Sequence, residues 1–326
     1  MDTRRRTYRL RTTVHHSLRD RPLIDYLAER FRYLPRALWE ERLRNGRIRV
    51  NGEVAHGSLI VRRDDEVEYT VTVDEPEVDR SYDAVYEDDE LLIVSKSGNI
   101  PVHASGQFIG NTLVAVLRAE RGDDLTLCHR LDRETSGLIV LTKSPEARRG
   151  MSAAFEQGRV RKTYLAIVRG TPTRSSFLVD APLRRIGRQH PVPRSVVDHR
   201  RGRAASTSVE VLERLPGAAL LHVEPLTGRT NQIRVHLEVA GHPLLGDKTY
   251  GLPAALLREL VREPGSDAVR RHLVLKRHAL HAARLRFSHP VTGRALDVAA
   301  TLPTDLRRAL ENLRRKKVEI ASNPRG

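Results

Sequence analysis

The chain has 326 residues, enough for a main domain and a smaller one, and its 39% hydrophobic residues can fill a core. Its 57 Lys and Arg exceed its 41 Asp and Glu, which favours a polyanionic partner such as RNA or DNA. An ordinary protein from an arginine-rich proteome would show the same balance. A single cysteine, Cys128, excludes an intramolecular disulfide and a cysteine-based zinc site. No apolar run reaches the ~20 residues of a membrane span and no signal peptide is evident, so we expect a cytoplasmic protein with no membrane association.

The N-terminal part of the chain predicts a basic arm followed by a small α+β domain. Residues 1–15 hold five arginines and no apolar period, which predicts a mobile arm. Residues 16–74 then predict two helices, a hairpin with a tight Asn-Gly turn and a closing strand, at residues 23–30, 35–46, 47–55 and 66–73.

The small domain resembles the RNA-binding module of a ribosomal small-subunit protein and of tyrosyl-tRNA synthetases. The resemblance rests on two helices followed by the sequence GRIRVNG at 46–52 and then a strand. Residues 1–63 contain 16 Arg against 7 Asp and Glu. The resemblance implies phosphate contacts from four arginines: Arg42, Arg44, Arg47 and Arg49. The alternative is a basic hairpin that packs against the main domain.

Residues 75–81 are polar, carry Pro76 and predict a linker to a main domain at 82–315. That domain begins with a hairpin around an acidic turn, followed by a Gly-containing loop at 98–110. A helix with Leu113, Val116 and Leu117 on one face is then expected, with its stop at Gly122.

The stretch 127–141 joins a polar loop to a core strand. Leu138 to Leu141 is an unbroken apolar run, which indicates a buried strand. Upstream, Arg130 and Asp132 bracket Leu131, so in extended chain both charged side chains point one way and Leu131 points into the core. A carboxylate flanked by arginines, on a loop that enters a core strand, is typical of a catalytic loop. An ordinary surface ion pair is the alternative.

After this strand, a helix is expected from Pro145, with Ser144 as its N-cap, and then a strand at 160–168 that carries Tyr164. Residues 182–203 contain seven Arg, three Pro and two Gly, which predicts an irregular loop that contacts RNA or is merely solvated. The arginines of this loop that we consider as RNA contacts are Arg184, Arg185 and Arg188.

A hairpin at 206–224 and a helix from about Thr230 to Ala240 follow. Arg234 sits beside the apolar stripe of that helix rather than opposite it, so it can reach a neighbouring loop. A further helix is predicted at 303–315, and residues 316–326 should be a basic tail.

Three motifs resemble the signature of the RluA-type family of RNA pseudouridine synthases. They are HRLDRETSGL at 129–138, RKTYLAIV at 161–168, and LTGRTNQIRVHL at 226–237, which continues as GHPLLGD at 241–247. The segment 277–290 also looks like the closing strand of the family.

The resemblance assigns roles to four residues. Asp132 takes the position of the catalytic carboxylate, and Arg234 that of the arginine which pairs with it and favours its charged form. Tyr164 matches the active-site tyrosine, and Arg130 matches the residue that fills the space left by the extruded base. Asn231 is a departure, because members of the family usually have His at that position.

The resemblance also implies an α+β fold with a mixed, mostly antiparallel central sheet. The activity would be the isomerisation of uridine to pseudouridine in RNA, ribosomal more than transfer RNA, by an enzyme that flips the target base. No cofactor is expected, because the reaction needs no redox change or group carrier. Arg133 and Arg229, which lie within the motifs, are added to the RNA-binding candidates, and we expect a monomer.

Other readings remain open at this stage. A transfer-RNA enzyme of the same family, a non-catalytic RNA-binding or ribosome-assembly factor, and a nucleoside hydrolase would each share part of the pattern. His278 and His281, with His15-His16, suggest a metal site. That pattern is weak without a further ligand, and alternation along a strand would place His278 and His281 on opposite faces, so we predict no metal.

Overall fold

The chain folds into two compact units. A computed structural model of the protein describes residues 3–31, 34–122, 124–187, 194–263 and 265–322. The small unit comprises residues 1–77 together with 103–112, and the large unit comprises 78–102 and 113–326. The chain therefore enters the large unit, returns briefly to the small unit and then leaves it again.

The small unit is built on a four-stranded antiparallel sheet in the order β1-β6-β3-β4, while β2 pairs with β5. Its strands are β1 (Thr3–Thr13), β2 (Arg21–Pro22), β3 (Ile48–Val50), β4 (Glu53–Val54), β5 (Ile60–Val61) and β6 (Glu66–Pro76). Its helices are α1 (Leu23–Arg30) and α2 (Arg36–Arg44). The predicted helices, hairpin and closing strand are therefore confirmed, and Trp39 is completely buried in the core that they enclose.

The prediction of a mobile arm is wrong, because residues 3–13 form strand β1. This strand pairs antiparallel with β6 along its whole length. Arginines alternate along it with Tyr8 and Leu10, and a period of two puts those apolar side chains against the core. On the other face, Arg9 forms an ion pair with Glu68 of β6. Arg5, Arg9 and Arg11 thus lie on the exposed face of a strand, and Arg6 falls on the other face.

The predicted linker at 75–81 begins too early. Glu75 belongs to β6 and is completely buried. Its carboxylate accepts the backbone N–H groups of Ile109, over 2.5 Å, and Asn111, over 2.8 Å. These donors come from residues 103–112, which the sequence placed in a loop of the main domain. A buried carboxylate needs such donors, and the chain returns to supply them.

The large unit contains twelve strands and six helices among its described residues. The strands are β7 (Tyr82–Glu87), β8 (Leu91–Lys96), β9 (Thr126–Leu127), β10 (Ser136–Thr142), β11 (Arg161–Arg169), β12 (Ser176–Asp180), β13 (Leu183–Ile186), β14 (Arg194–Val197), β15 (Ser206–Leu215), β16 (Ala218–Pro225), β17 (Leu280–Ser288) and β18 (Ala295–Ala299). The helices are α3 (Leu113–Arg121), α4 (Pro145–Glu156), α5 (Gln232–Val239), α6 (Ala254–Arg262), α7 (Asp267–Leu273) and α8 (Thr304–Ser322).

The central sheet has the order β12-β15-β16-β11-β17-β10-β8-β7, with β18 paired to β17 and β9 paired to β10. Strands β10 and β17 pair in parallel, and the other neighbours in this sheet are antiparallel. The expected α+β fold with a mixed, mostly antiparallel sheet is therefore confirmed.

Strand β10 is buried along its whole length, as its apolar run predicts. Ile139 and Leu141 lie in one hydrophobic cluster, to which α3 and α5 also contribute. Leu138 and Val140 lie in a second cluster, to which α4 contributes. Because both faces are covered, β10 is a rigid base for the loop that precedes it.

Some segments of the large unit differ from expectation. The predicted irregular loop at 182–203 contains the antiparallel pair β13–β14, and residues 188–193 lie outside the described part of the chain. Helices α6 and α7 are not predicted by the sequence reasoning. Helix α8 continues to Ser322, past the predicted start of a tail at 316, because Arg, Lys and Glu are good helix formers. Residues 323–326 lie outside the description, and no described helix has both the length and the apolarity to span a membrane.

Gly137 lies where β10 pairs with β17. Its φ is +108°, and an added Cβ would lie 2.2 Å from the carbonyl oxygen of Ala282. We expect Gly137→Ala to lower the free energy of unfolding by about 3 kcal/mol or more, because strained backbone and steric overlap combine there. Urea unfolding followed by circular dichroism measures the loss.

Gly217→Ala is the matched control for that experiment. Gly217 also has a positive φ, +65°, but nothing lies within 4 Å of an added Cβ. We expect a loss of about 1 kcal/mol from the backbone conformation alone. Equal losses in the two variants would contradict the steric explanation.

Candidate active site

A pocket of about 830 Å³ opens in the large unit beside the loop that leads into β10. Its walls come from residues 128–132 with Thr135, from the start of β11 and from 224–234. The charged groups of the lining are Arg130, Arg161, Lys162, Arg203, Arg229 and Arg234 against Asp132, Glu156 and Glu224. A concave site with convergent polar groups suits a substrate, and the excess of cations suits a polyanion.

Asp132 and Arg234 meet in this pocket. Nη1 of Arg234 donates to Oδ2 of Asp132 over 2.8 Å. Leu131 is buried and anchors the loop in the core, as the alternation of the sequence predicts. The N–H of Thr135 donates to the carbonyl of Asp132 over 3.1 Å and closes a turn. The expected contact between the two charged side chains is therefore present, and their catalytic roles stay predictions.

The guanidinium of Arg234 is shared with a second carboxylate, Asp247. Nε and Nη2 of Arg234 donate to the two oxygens of Asp247 over 2.7 and 2.8 Å, which is a bidentate pair. The side chain of Asp247 is 0% exposed, whereas that of Asp132 is 26% exposed. Asp247 is thus the buried anchor of the arginine, and Asp132 faces the pocket.

Burial and mutual attraction set the charges of this group. Burial opposes the charge of Arg234, but Asp247 and then Asp132 outweigh it and raise the pKa of Arg234 above its ordinary value. Burial likewise opposes the charge of Asp247, but Arg234 holds the pKa of that carboxyl below its usual range. Removing Arg234 would leave Asp247 buried without its cation, so the arginine stabilises the fold as well as the site.

Tyr164 lies on β11 in the wall of the same pocket and is 9% exposed. A β-bulge shifts the register of β11 against β17 between Thr163 and Tyr164, and bulges re-aim side chains. Burial, and then the charge of Asp132, raise the pKa of Tyr164 well above its ordinary value. The phenol is therefore neutral at physiological pH.

The predicted RNA-contacting arginines occupy different places. Arg130 is exposed at the pocket, and Arg229 also lines it, with its Nε donating to the carbonyl of Ala204 over 3.0 Å. Arg133 is not among the lining residues and lies 3.2 Å from Glu134.

Strand β13 carries Arg184 and Arg185, both exposed and neither lining the pocket. Nε of Arg184 lies 2.5 Å from a carboxylate oxygen of Asp198. Arg188 lies outside the described residues. The β13–β14 hairpin thus presents cations on its surface, apart from the pocket lining.

The four arginines of the small unit differ in availability. Arg44, Arg47 and Arg49 are exposed. Arg42 is half-buried, donates to the carbonyl of Thr70 over 2.8 Å and lies over the ring of Trp39, 5.4 Å from its centroid. Arg42 therefore has a structural task that the sequence does not reveal.

The side chains of two buried basic residues donate hydrogen bonds to the backbone of the loop that carries Asp132. Nζ of Lys96, at the end of β8, donates to the carbonyl of Arg133 over 3.1 Å. Nη1 of Arg277 donates to the carbonyl of Glu134 over 2.9 Å. Burial, and then the charge of Arg277, lower the pKa of Lys96 to about 7. The backbone of the loop is therefore fixed by the protein itself.

The histidines considered as metal ligands support the same loop. Nε2 of His278 lies 2.7 Å from Oγ1 of Thr135, and Nδ1 of His281 lies 3.0 Å from Oγ of Ser136. Burial lowers the pKa of both imidazoles to about 4, so they are neutral hydrogen-bonding groups at physiological pH. Within the described ranges, no cluster of His, Cys, Asp and Glu has the form of a metal site.

Sequence reasoning missed Asp247, Tyr250 and Lys96. Asp247 ends the motif at 241–247, so its place in that motif was the available signal. The ring of Tyr250 lies 4.8 Å from the guanidinium carbon of Arg234, but a tyrosine after a polar turn has no distinguishing pattern. Lys96 ends an apolar strand, where a lysine that reaches solvent is usual.

Together these groups hold the carboxylate of Asp132 at a partly enclosed surface. Such a carboxylate can act as a nucleophile or stabilise a developing positive charge. Tyr164 adds a neutral hydroxyl group to the same pocket.

Comparison with known proteins shows which family the chain resembles. The model of a protein family described as RNA pseudouridylate synthase matches residues 90–239, which include Asp132, Tyr164 and Arg234. The ribosomal large subunit pseudouridine synthase D of Zymomonas mobilis is 36% identical over 233 residues, which cover 68% of this chain and 69% of that protein. An uncharacterised RNA pseudouridine synthase of Chlorobaculum parvum is 34% identical over 308 residues, which cover 89% and 93%.

A solved structure has a similar fold. The human RNA pseudouridylate synthase domain containing 4 has a TM-score of 0.55 and 26% sequence identity. The match covers 71% of this chain and 92% of that chain.

We expect Asp247→Asn to lower the free energy of unfolding at pH 7 by about 3–5 kcal/mol, because Arg234 would lose the negative charge of its buried partner. Since the pKa of Asp247 is depressed in the folded state, its contribution is full above the ordinary carboxyl pKa of about 4. It is lost as the pH falls below that value. Urea unfolding at several pH values should therefore show the two proteins converging in acid.

Asp297→Asn is the matched control for this variant. Asp297 pairs with Arg284 and Arg286, and all three side chains are exposed, so it makes the same kind of ion pairs in solvent. Its replacement should leave the free energy of unfolding nearly unchanged, because exposed ion pairs contribute little. A similar loss in both variants would refute the anchoring role of Asp247.

Proposed function

The chain belongs to the RluA-type family of RNA pseudouridine synthases, and we propose that it modifies ribosomal RNA with Asp132 as its catalytic carboxylate. Family membership makes the protein an isomerase that converts uridine in RNA to pseudouridine. The choice of Asp132 rests on one observation, the ion pair that its pocket-facing carboxylate makes with Arg234.

The reaction exchanges one bond to the sugar for another. The N-glycosidic bond to N1 of the uracil breaks, the base turns, and C5 of the uracil bonds to the anomeric carbon. The proton on C5 leaves, and N1 gains one. Atoms and charge balance without an oxidant, a reductant or a carrier, so we propose that the protein's own groups suffice.

Asp132 would act in its ionised form. It would attack the anomeric carbon or the uracil ring, or stabilise the charge that appears when the glycosidic bond breaks. In each case Arg234 would keep the carboxylate charged and hold its orientation.

Tyr164 and Arg130 would handle the base. Extruding a uridine from its stack costs a few kcal/mol, least for an unpaired nucleotide. The exposed guanidinium of Arg130 would stack in the space that the base leaves. The neutral hydroxyl of Tyr164 would support the uracil or take part in proton transfer at the sugar.

Ribosomal RNA is the proposed substrate for two reasons. Relatives from Zymomonas mobilis and Vibrio vulnificus are named ribosomal large subunit pseudouridine synthases. The small unit also presents Arg44, Arg47 and Arg49 to solvent, in the order of elements that resembles a ribosomal RNA-binding module. We propose these arginines, with Arg133, Arg184, Arg185 and Arg229, as phosphate contacts, which the salt dependence of RNA binding measures.

We expect Asp132→Asn to abolish catalysis while RNA binding remains. Loss of an essential nucleophile typically costs about 10³-fold or more in kcat, so tritium release from RNA labelled at C5 of uracil should fall to background. Asp297→Asn, with the same chemical change at an exposed site, should release tritium at the rate of the unmodified enzyme. Full activity of Asp132→Asn would disprove the assignment, and free uracil among the products would indicate a hydrolase instead.

A second experiment identifies the RNA. Purified enzyme should release tritium from large-subunit ribosomal RNA at least tenfold faster than from bulk transfer RNA, on the energy scale of specific recognition. Primer extension after carbodiimide treatment of RNA from a deletion strain then locates the missing pseudouridines. Stops lost only from transfer RNA would overturn the ribosomal assignment and leave the family assignment intact.

A further inference from the structure

Asn231 has an unusual backbone conformation beside the candidate catalytic pair. It is the residue immediately before α5, and its φ is +58° with ψ at 19°, in the left-handed region. Most residues avoid this region, and Asn, Asp and His are several-fold enriched among those that adopt it. The conformation places the side-chain amide between Asp132 and Tyr250.

The hydrogen-bond network decides which way this amide points. With its nitrogen towards Asp132, the N–H group donates to Oδ2 over 3.0 Å and lies 3.2 Å from Oδ1. Its oxygen then accepts from the hydroxyl of Tyr250 over 3.1 Å. In the opposite orientation the amide N–H donates to the hydroxyl oxygen of Tyr250 over 3.1 Å and the amide oxygen accepts from Nη1 of Arg234 over 3.4 Å, but that oxygen then faces the carboxylate oxygens of Asp132. The first orientation satisfies every atom of the amide better.

Tyr250 is suited to fix the amide in that orientation. It is 1% exposed, and its hydroxyl oxygen accepts the N–H of Ser195 over 2.9 Å. The hydroxyl of Tyr250 has one hydrogen to donate. Two acceptors lie within reach of it, the amide oxygen of Asn231 and the carbonyl of Ser195, which is 3.2 Å away. The hydroxyl of Tyr250 is therefore held in place by the backbone of Ser195.

We propose that Asn231 is a positioning residue whose amide N–H is a second donor to Asp132, beside Arg234. The inference rests on the proposed catalytic role of Asp132. It assigns to this position a task that the sequence comparison left open, because this chain has Asn where members of the family usually have His.

The distribution of donors explains why Asp132 needs this contact. Arg234 gives two of its N–H groups to Asp247 and one to Asp132. A single hydrogen bond leaves a carboxylate free to turn about its χ torsions. A neutral amide on the same carboxylate restricts that rotation without adding a charge to the pocket.

Other groups near Asp132 do not set the direction of its carboxylate. Lys96, His278 and Tyr164 each interact with it electrostatically. Lys96 is occupied with backbone carbonyls, and His278 with Thr135. Arg234 and Asn231 therefore set the orientation of the carboxylate between them.

Two substitutions distinguish the effect of the amide donor from that of the left-handed backbone conformation. Asn231→Gly keeps the left-handed conformation at no steric cost and removes the amide. We expect kcat to fall roughly tenfold to a hundredfold, the range for one hydrogen bond to a charged group, with KM for RNA nearly unchanged. Asn231→Asp keeps the shape but replaces the donor with a like charge, so its kcat should fall further.

Asn312→Asp is the matched control for the added charge. Asn312 lies on the exposed surface of α8, outside the pocket lining, and the change alters the net charge of the protein equally. Its kcat and KM should match those of the unmodified enzyme. Thermal melting of each variant checks that the fold is kept.

Asn231→His tests the donor function directly. Histidine tolerates the left-handed region and carries a ring N–H, so we expect it to retain kcat within about threefold. Loss of kcat in the His variant equal to that in the Gly variant would overturn the proposal, and so would a kcat within twofold of normal in the Gly variant. In either case, an inactive Asp132→Asn would leave the proposed function standing. An active Asp132→Asn variant would refute both the catalytic role of Asp132 and the positioning role of Asn231.

Discussion

One guanidinium shared between two carboxylates organises the candidate active site. Asp247 is fully buried and takes two N–H groups of Arg234, so the arginine cannot leave its place without stranding a charge in the core. Asp132 receives the remaining interaction at the pocket surface. Because Arg234 and Asp247 are held together in the core, the guanidinium that Asp132 meets is already in position.

The scaffold extends this constraint into the backbone. Strand β10 is buried on both faces, and Gly137 lets it approach β17 closely enough for parallel pairing. Lys96 and Arg277 hold the carbonyl groups of the preceding loop. Asp132 is therefore fixed from its backbone side by the sheet, and from its side-chain side by α5. Support of this kind preorganises the position of Asp132.

Local patterns in the sequence predicted much of this. The bounds of α1 and the buried run of β10 followed from periodicity, and the motifs placed Asp132 and Arg234 together although a long stretch of chain separates them. Strand β1 was not predicted, because three consecutive arginines at 4–6 concealed the period of two in the residues that follow. The pairing of β13 with β14 was not predicted, because prolines and glycines indicate a turn without indicating what the flanking residues pair with.

The missed site residues share a different cause. Asp247 and Lys96 matter through partners that are distant in sequence, and a single side chain carries no sign of them. The orientation of the Asn231 amide depends on Tyr250, whose position is known only once the chain after α5 has been folded. Pattern reasoning therefore found the residues that touch the pocket more readily than those that hold them.

The return of residues 103–112 to the small unit has a consequence for biogenesis. Glu75 is buried at the end of β6, and its backbone donors belong to Ile109 and Asn111. As the nascent chain emerges, the first 77 residues lack those two backbone donors, and among the described contacts they offer the buried carboxylate the hydroxyl of Tyr8. The N-terminal unit can be completed only after part of the following unit has been translated, so the two are tied together in the order of their maturation.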